Sequence, residues 1–521
     1  MNVGTPVHVS TASNPAAKGR STTWILAATI LGSSLAFIDG SVVNVALPVL
    51  QRDLNASAAD VQWVIEAYSL FLASLILVGG SLGDRYGRRR VYTLGVAIFS
   101  IASVICGLAP TVGVLIVARG VQGIGGALLV PGSLAIISSS FSGDTERGRA
   151  IGTWSAFTTL TSAGGPVLGG WLVQSVSWRA IFFINVPIAA LVLLLLARHV
   201  PESKDDSISG PLDWAGAVAV TLGLAALVYG FITWGSSGVT RSVVVSISIG
   251  VICLIGFVLV EARSTAPMLP LSLFRSRTFT GTNLLTFLLY GALGGTLFYL
   301  PFDLQQAQGY SATAAGAALV PLTIVLFALS RWAGGLVGRY GAKLPLTIGP
   351  IIAAVGFFLL SLPRGGNYWT DVFPGVLVLG LGMAVTVAPL TTAVMGAVDP
   401  RHSGVASGVN NAVSRAAGLL AIAVLGIVVA YYFSSGLDHR LNAIQLAPAA
   451  RHALDANRDR LAALGVPTGL SASQAAEVHR AIIAAFIDGY QAVMRIGAVL
   501  ALLSALFAAL LVEGRPTPRA A

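Results

Sequence analysis

Long, unbroken apolar runs alternate with short polar segments along this chain. About fourteen of the runs approach or exceed the roughly 20 residues a helix needs to cross a bilayer. They lie near 24–49, 61–83, 91–109, 113–137, 149–174, 180–198, 213–234, 242–262, 280–302, 313–336, 344–363, 372–397, 404–433 and 483–512. Within each run the apolar positions are continuous and do not alternate, which predicts helices and argues against a β-barrel. The expected fold class is therefore an all-α integral membrane protein. Its runs group as six, two and six. The expected organisation is a disordered tail over 1–21, a six-helix bundle over 22–199, an inserted two-helix segment over 200–279, a second six-helix bundle over 280–512, and a short tail over 513–521. One long outer segment, 434–482, separates the last two spans, and its amphipathic pattern near 450–464 predicts one or two short helices lying over that face.

Composition sharpens this picture. Of 521 residues, 55% are hydrophobic and 10% charged, with a mean hydropathy of +0.82. Soluble domains carry about 25% charged residues, so the bilayer is the expected partner. The net charge of +10 could suggest nucleic acid, but its distribution excludes that reading. With a cytoplasmic N-terminus, the inner segments collect most of the cations, among them Lys18, Arg20, Arg85, Arg88, Arg89, Arg90, Arg147, Arg149, Arg339, Lys343, Arg401, Arg515 and Arg519. The short outer loops hold only Arg52, Arg179, Arg241 and Arg364. This positive-inside bias places both termini in the cytoplasm. Residues 1–21 are polar and no cleavable signal is expected. Cys106 and Cys253 both fall inside spans, so neither a disulfide framework nor a metal site is expected.

Ionisable residues inside spans mark candidate chemistry, because an unpaired charge in hydrocarbon costs several kcal/mol. Asp39 lies in the first run and Glu66, within Trp63-Val-Ile-Glu66-Ala-Tyr68, in the second. Arg119 lies in the fourth, and counting helix rise puts all three in the outer half of the membrane. Arg119 is thus expected near Asp39, Glu66 or both. Two close carboxylates could share a proton or a cation. Polar span residues Asn44, Tyr68, Gln122, Asn410, Asn411 and Arg415 are candidates to line a substrate cavity. Asp303 is expected to end the ninth span at the surface. No Walker loop, zinc-binding His pair or Ser-His-Asp order is present. No catalytic residue or cofactor is expected, and uphill transport would draw on an ion gradient.

Four motifs carry a family resemblance. The loop Gly80-Ser-Leu-Gly-Asp84-Arg85-Tyr-Gly87-Arg88-Arg-Arg90 has a weaker echo at Gly334-Gly-Leu-Val-Gly338-Arg339-Tyr-Gly341, which lacks the acid. Arg119-Gly-Val-Gln122-Gly123 and Gly164-Gly165-Pro166-Val-Leu-Gly169-Gly170 follow in spans four and five, and Asp39 through Pro48 in span one. Together they resemble the major facilitator superfamily, and in particular its fourteen-span drug:proton antiporters, the EmrB/QacA-like multidrug exporters. The resemblance implies two six-helix bundles with two inserted helices, and export of amphipathic cationic or neutral compounds in exchange for protons across a bacterial inner membrane. It implies proton coupling at Asp39, with Arg119 as charge partner; Glu66 is acidic where many relatives carry a neutral residue, and is expected to act beside Asp39 as a helper or cation-recognition residue. It implies gating by Gly80, Asp84, Arg85, Gly87 and Arg88, and by the bend at Gly165, Pro166 and Gly169. A periplasmic adaptor and an outer-membrane channel stay open as partners. A dedicated exporter of one metabolite, such as a siderophore, antibiotic or lipid precursor, is the alternative on the same scaffold. The acids that some polycation exporters carry in span thirteen are absent, which argues against divalent-cation cargo.

Overall fold

The structure, a computed structural model, describes residues 15–141, 143–205, 212–264, 267–362, 367–399 and 403–514. For 15–21, 144, 145, 159, 163 and 403 only the backbone is described. Every regular element among these residues is helical. In chain order the long helices are α1 (Pro15–Asp53), α2 (Ala58–Tyr86), α3 (Arg88–Leu108), α4 (Val112–Ser140), α5 (Asp144–Ser175), α6 (Ala180–His199), α7 (Trp214–Ser237) and α8 (Arg241–Arg263). Then come α9 (Arg277–Phe302), which continues into a π-turn (Asp303–Ala307), α10 (Ala312–Gly334), α11 (Lys343–Leu360), α12 (Tyr368–Gly396), α13 (Ser403–Leu441) and α14 (Ala472–Leu511). Thirteen of these are long and apolar enough to cross a membrane. The exception is α5, which is 32 residues long but diluted by Ser, Thr, Gly and a charged first turn.

Helices α1 to α6 pack mainly on one another, through α2–α4, α3–α4, α1–α5 and α1–α6. Helices α9 to α14 form a second set, through α11–α12, α9–α14, α11–α14 and α9–α13. The inserted pair packs α8 on α7, and α7 in turn bridges α2 and α13. The two sets meet along α2–α13, α5–α10 and α1–α9. We call the end where α1 begins and α14 stops the near end, and the opposite end the far end.

Several boundaries differ from the sequence expectation. Helix α1 starts at Pro15, inside the stretch expected to be a disordered tail, while 1–14 lie outside the described residues. Arg364, Arg401, Arg515 and Arg519, used in the charge argument, also lie outside them. The expected outer segment 434–482 shrinks to 442–471, because α13 runs on to Leu441 and α14 starts at Ala472. These extensions hold because Leu437, Leu441 and Val478 are fully or almost fully buried there and Ser471 with Gln474 forms a capping box at the start of α14. The shortened segment keeps a helix over Pro448–Asp455 and a 3-10 turn over Arg458–Ala463. Asp303 does not reach the surface. It is 1% exposed, in the π-turn, and its Oδ2 accepts a 2.7 Å hydrogen bond from Gln308 Nε2.

The echo between the halves is legible in the backbone. Gly87 and Gly341 both adopt positive φ, +112° and +78°, a region that glycine enters without penalty. The arginine two residues before each lies over the ring of the following tyrosine, Arg85 over Tyr86 and Arg339 over Tyr340.

At the far end the two halves come into backbone contact. A methyl group on Gly316 of α10 would collide with the Pro166 carbonyl oxygen of α5, and one on Gly170 would collide with the Ala312 carbonyl oxygen. A larger residue at 316 should therefore hold the far end open. In a background with Cys106 and Cys253 replaced by Ser, we expect Gly316→Leu to raise labelling of a cysteine placed at the buried Phe302 several-fold, using a membrane-impermeant maleimide. Unchanged labelling would show that this contact does not close the far end.

Candidate functional site

Asp39, Arg119 and Gln122 form one closed polar network inside the first bundle. Arg119 is 0% and Asp39 1% exposed. Arg119 Nη1 donates to Asp39 Oδ2 at 2.5 Å and to Gln122 Oε1 at 2.8 Å, while its Nε donates to the Val64 carbonyl at 3.0 Å. Gln122 Nε2 donates to Asp39 Oδ1 at 3.0 Å. The guanidinium also lies over the Tyr68 ring, 4.3 Å from its centroid. Each carboxylate oxygen of Asp39 thus has a donor, and α1, α2 and α4 are joined through one charge pair. Glycines make this possible: Gly123 brings α4 so close to α2 that an added methyl group would strike the Tyr68 carbonyl.

Glu66 stands apart. It is 0% exposed, and neither of its carboxylate oxygens has a hydrogen-bond partner. It lies eight residues from the start of α2, about 12 Å below the far end. The expected sharing of a proton or cation between Glu66 and Asp39 is therefore not seen in this conformation. Arg119 is spent on Asp39, Gln122 and Val64, and Glu66 lies within electrostatic reach of Tyr299, whose hydroxyl accepts from Gln62.

The remaining cavity candidates divide. Gln122 is fully buried in the Asp39 network, and Tyr68 is buried with its hydroxyl unpartnered. Asn410 turns back into its own half, donating to Asn283 Oδ1 at 3.1 Å and Thr286 Oγ1 at 2.7 Å. Asn44 is half-buried beside the exposed Gly40, one turn away on α1. Asn411 is exposed and Arg415 half-buried, one turn apart on α13. An added methyl at Gly40, Gly164 or Gly418 would meet nothing within 4 Å.

The Gly165–Gly170 segment packs on two sides. Gly165 and Gly169 lie against Ser41 and Val42 of α1, and a methyl group on Gly169 would come within 2.9 Å of the Val42 side chain. Pro166 and Gly170 face α10 of the other half. The Asp84 loop is tied to the chain after α6. Arg88 Nε donates to Asp84 Oδ1 at 2.8 Å, and the Glu202 carboxylate accepts from the Arg89 and Arg90 amides at 3.0 and 3.2 Å. Glu202 thereby satisfies amides at the start of α3, where negative charge is favoured. It lies so close over Gly87 that a methyl there would approach its carboxylate to 2.7 Å. Arg85 lies over the Tyr86 ring, and Gly80 faces Pro131 of α4.

Sequence reasoning missed a set of glutamines. Gln62 Nε2 donates to the Tyr299 hydroxyl at 3.0 Å, Gln305 Nε2 to the Val45 carbonyl at 2.9 Å, and Gln306 Nε2 to Gln51 Oε1 at 3.0 Å. Gln51 Nε2 in turn reaches the Arg460 carbonyl of the outer segment at 3.2 Å. All of these join the first half to later parts of the chain at the far end. A small pocket there is lined by Gln51, Gln62, Tyr299, Gln306 and Leu461. Leu461, which closes it, has φ +51°, a strained value for a bulky residue. Neutral amides near span ends carry no sequence signal that separates such a latch from ordinary interfacial polarity.

Removing one partner of a buried ion pair strands the other, at a cost of about 3–5 kcal/mol. Asp39→Asn should therefore lower thermal stability in detergent markedly. The double variant Asp39→Asn, Arg119→Gln should recover part of the loss. Equal stability of all three proteins would show that the pair does not hold α1 to α4.

The Major Facilitator Superfamily profile matches residues 29–422. The chain is 36% identical over 431 residues to the "Multidrug resistance protein Stp" of Mycobacterium tuberculosis (strain CDC 1551 / Oshkosh), covering 82% of this chain and 80% of that protein. It is 30% identical over 516 residues to the "Tetracenomycin C resistance and export protein" of Streptomyces glaucescens, covering 98% and 95%. Among solved structures, a bacterial homolog of the human lysosomal transporter Spinster, in an inward-facing and unoccupied conformation, superposes with a TM-score of 0.62 at 18% identity, covering 96% of this chain and 99% of that one. With its helical architecture, its paired loops and these matches, the chain belongs to the Major Facilitator Superfamily and is a multi-pass membrane protein.

Proposed function

We propose that this protein is a proton-coupled multidrug efflux antiporter of a bacterial inner membrane, with the near end and both termini in the cytoplasm. The relatives named for multidrug resistance and export support the class of cargo. The basic residues that gather at the near-end loops support the orientation.

The observation that carries the coupling is the buried, unpartnered carboxyl of Glu66. A bare carboxylate inside a span is costly, so a proton or a cationic cargo must neutralise it whenever the site closes. Competition of the two for one carboxyl is sufficient for exchange. Asp39 already has Arg119 as its counter-charge, and its part is to keep α1, α2 and α4 in one register as the site loads. The Gly165–Gly170 face and the glutamine latch close the far end, and the Asp84 loop braces the near end. Alternation between closures then moves cargo from the space between the halves.

The test is reconstitution in liposomes with a trapped pH dye, an imposed proton gradient and ethidium as cargo. Wild type should move protons only when ethidium is present, and Glu66→Gln should abolish that coupling. Retained ethidium-dependent proton movement in Glu66→Gln would sink the assignment to Glu66. The relative named for tetracenomycin C spans almost the whole chain, which favours dedicated export of one compound as the second reading. That reading gains if wild type moves no protons across a panel of unrelated lipophilic cations.

A further inference from the structure

The central space contains a cation that the exchange at Glu66 does not use. Arg415 lies on α13, twelve residues from its near-end start, or about 18 Å along the helix. It is deep inside an apolar span. Its Nε is buried and has no hydrogen-bond partner, and no carboxylate among the described residues is paired with it. The two other intramembrane charges nearby do not serve it. Asp39 is saturated by Arg119 and Gln122. Glu66 is at another level. Gln62 of α2 touches Gly426 of α13, and Leu77 touches Gly408, which sets the register of the two helices. That register puts Arg415 level with Phe71, about 8 Å along the axis from Glu66.

The surroundings of Arg415 keep it facing the space between the halves. Asn411, Arg415 and Gly418 follow at helical spacing on one face of α13, where Asn411 is exposed and Gly418 has open space beside it. Tyr68 lies within electrostatic reach of Arg415, but its ring already carries Arg119. A guanidinium cannot shed its charge and presents a planar fork of donors. An unpaired one in hydrocarbon is as costly as an unpaired carboxylate. The ligand that meets both demands is a planar oxyanion, bound by two charge-assisted hydrogen bonds.

We propose that Arg415 holds an acidic group of the cargo, a carboxylate above all, so that the exported compounds include zwitterionic and anionic amphiphiles as well as cations. This inference rests on the export reading above and extends it to a second charge. The first half supplies the negative pole at Glu66 and the second half the positive pole at Arg415. A zwitterion of suitable length meets both, and a plain cation meets only the first.

The test is equilibrium binding to protein in nanodiscs of a rhodamine free acid, a zwitterion, and of its methyl ester, a cation of nearly the same shape. Losing a charge-assisted bidentate contact weakens binding by about tenfold or more. We expect Arg415→Gln to lower affinity for the free acid by that factor and to leave the ester within about twofold. Arg415→Lys should recover part of the free-acid affinity, which separates a ligand contact from a folding defect. Equal loss of both dyes, no loss of either, or failure of wild type to bind the free acid would overturn the proposal. Failure of the export reading would look different: neither dye would move in liposomes while the charge-dependent binding difference persisted.

Discussion

A full charge pair sealed inside a membrane bundle is the constraint around which the first half is arranged. Arg119 is completely buried and can be tolerated only because Asp39, Gln122 and the Val64 carbonyl satisfy it together. These partners come from three helices, so α1, α2 and α4 cannot slide past one another without breaking the network. The glycines along α4 follow from the same requirement. A long guanidinium meets the α2 backbone only if the helices are nearly in contact, and Gly123 removes the side chain that would keep them apart.

The interface between the halves obeys a different rule. The described links between the halves are neutral amides and bare glycine backbones. The bonds from Gln62, Gln305 and Gln306 are individually worth about 1 kcal/mol, and the Gly316–Pro166 and Gly170–Ala312 approaches add surface contact without locking chemistry. The outer segment reinforces this end through Gln51 and Leu461. At the near end the Asp84 loop is tied instead to the segment after α6, through Glu202. The buried Asp39–Arg119 pair thus lies within the first half, and the glutamine bonds that join the halves are neutral.

The cost of charge in hydrocarbon also orders the functional groups. Asp39 and Arg119 pair with each other inside the first half. Among the described residues, neither carboxylate oxygen of Glu66 nor the Nε of Arg415 has a hydrogen-bond partner. Placed in opposite halves at different depths, they give the central space a polarity that neither half has alone.

Much of this was legible in the sequence. The unbroken apolar runs fixed the helices, because hydrocarbon leaves a backbone no other way to satisfy its polar groups. Spacing along spans one, two and four was enough to expect Arg119 near Asp39, Glu66 or both, since a buried arginine demands a counter-charge, and the packing chose Asp39. The loop motif and its echo reappear as two positive-φ glycines behind matching arginines. The separation of Glu66 from Asp39 was not legible: helix rise gives depth but not which face a side chain takes. Nor was the burial of Asp303, the length of α14, or the withdrawal of Asn410 into its own half, all of which depend on neighbours remote in the chain. The glutamine latch and the isolation of Arg415 belong to the same class. Sequence determined which residues had to lie in the membrane. Only the tertiary packing decided which of their charges found a partner, because a partner from another helix is set by rotation and register rather than by composition.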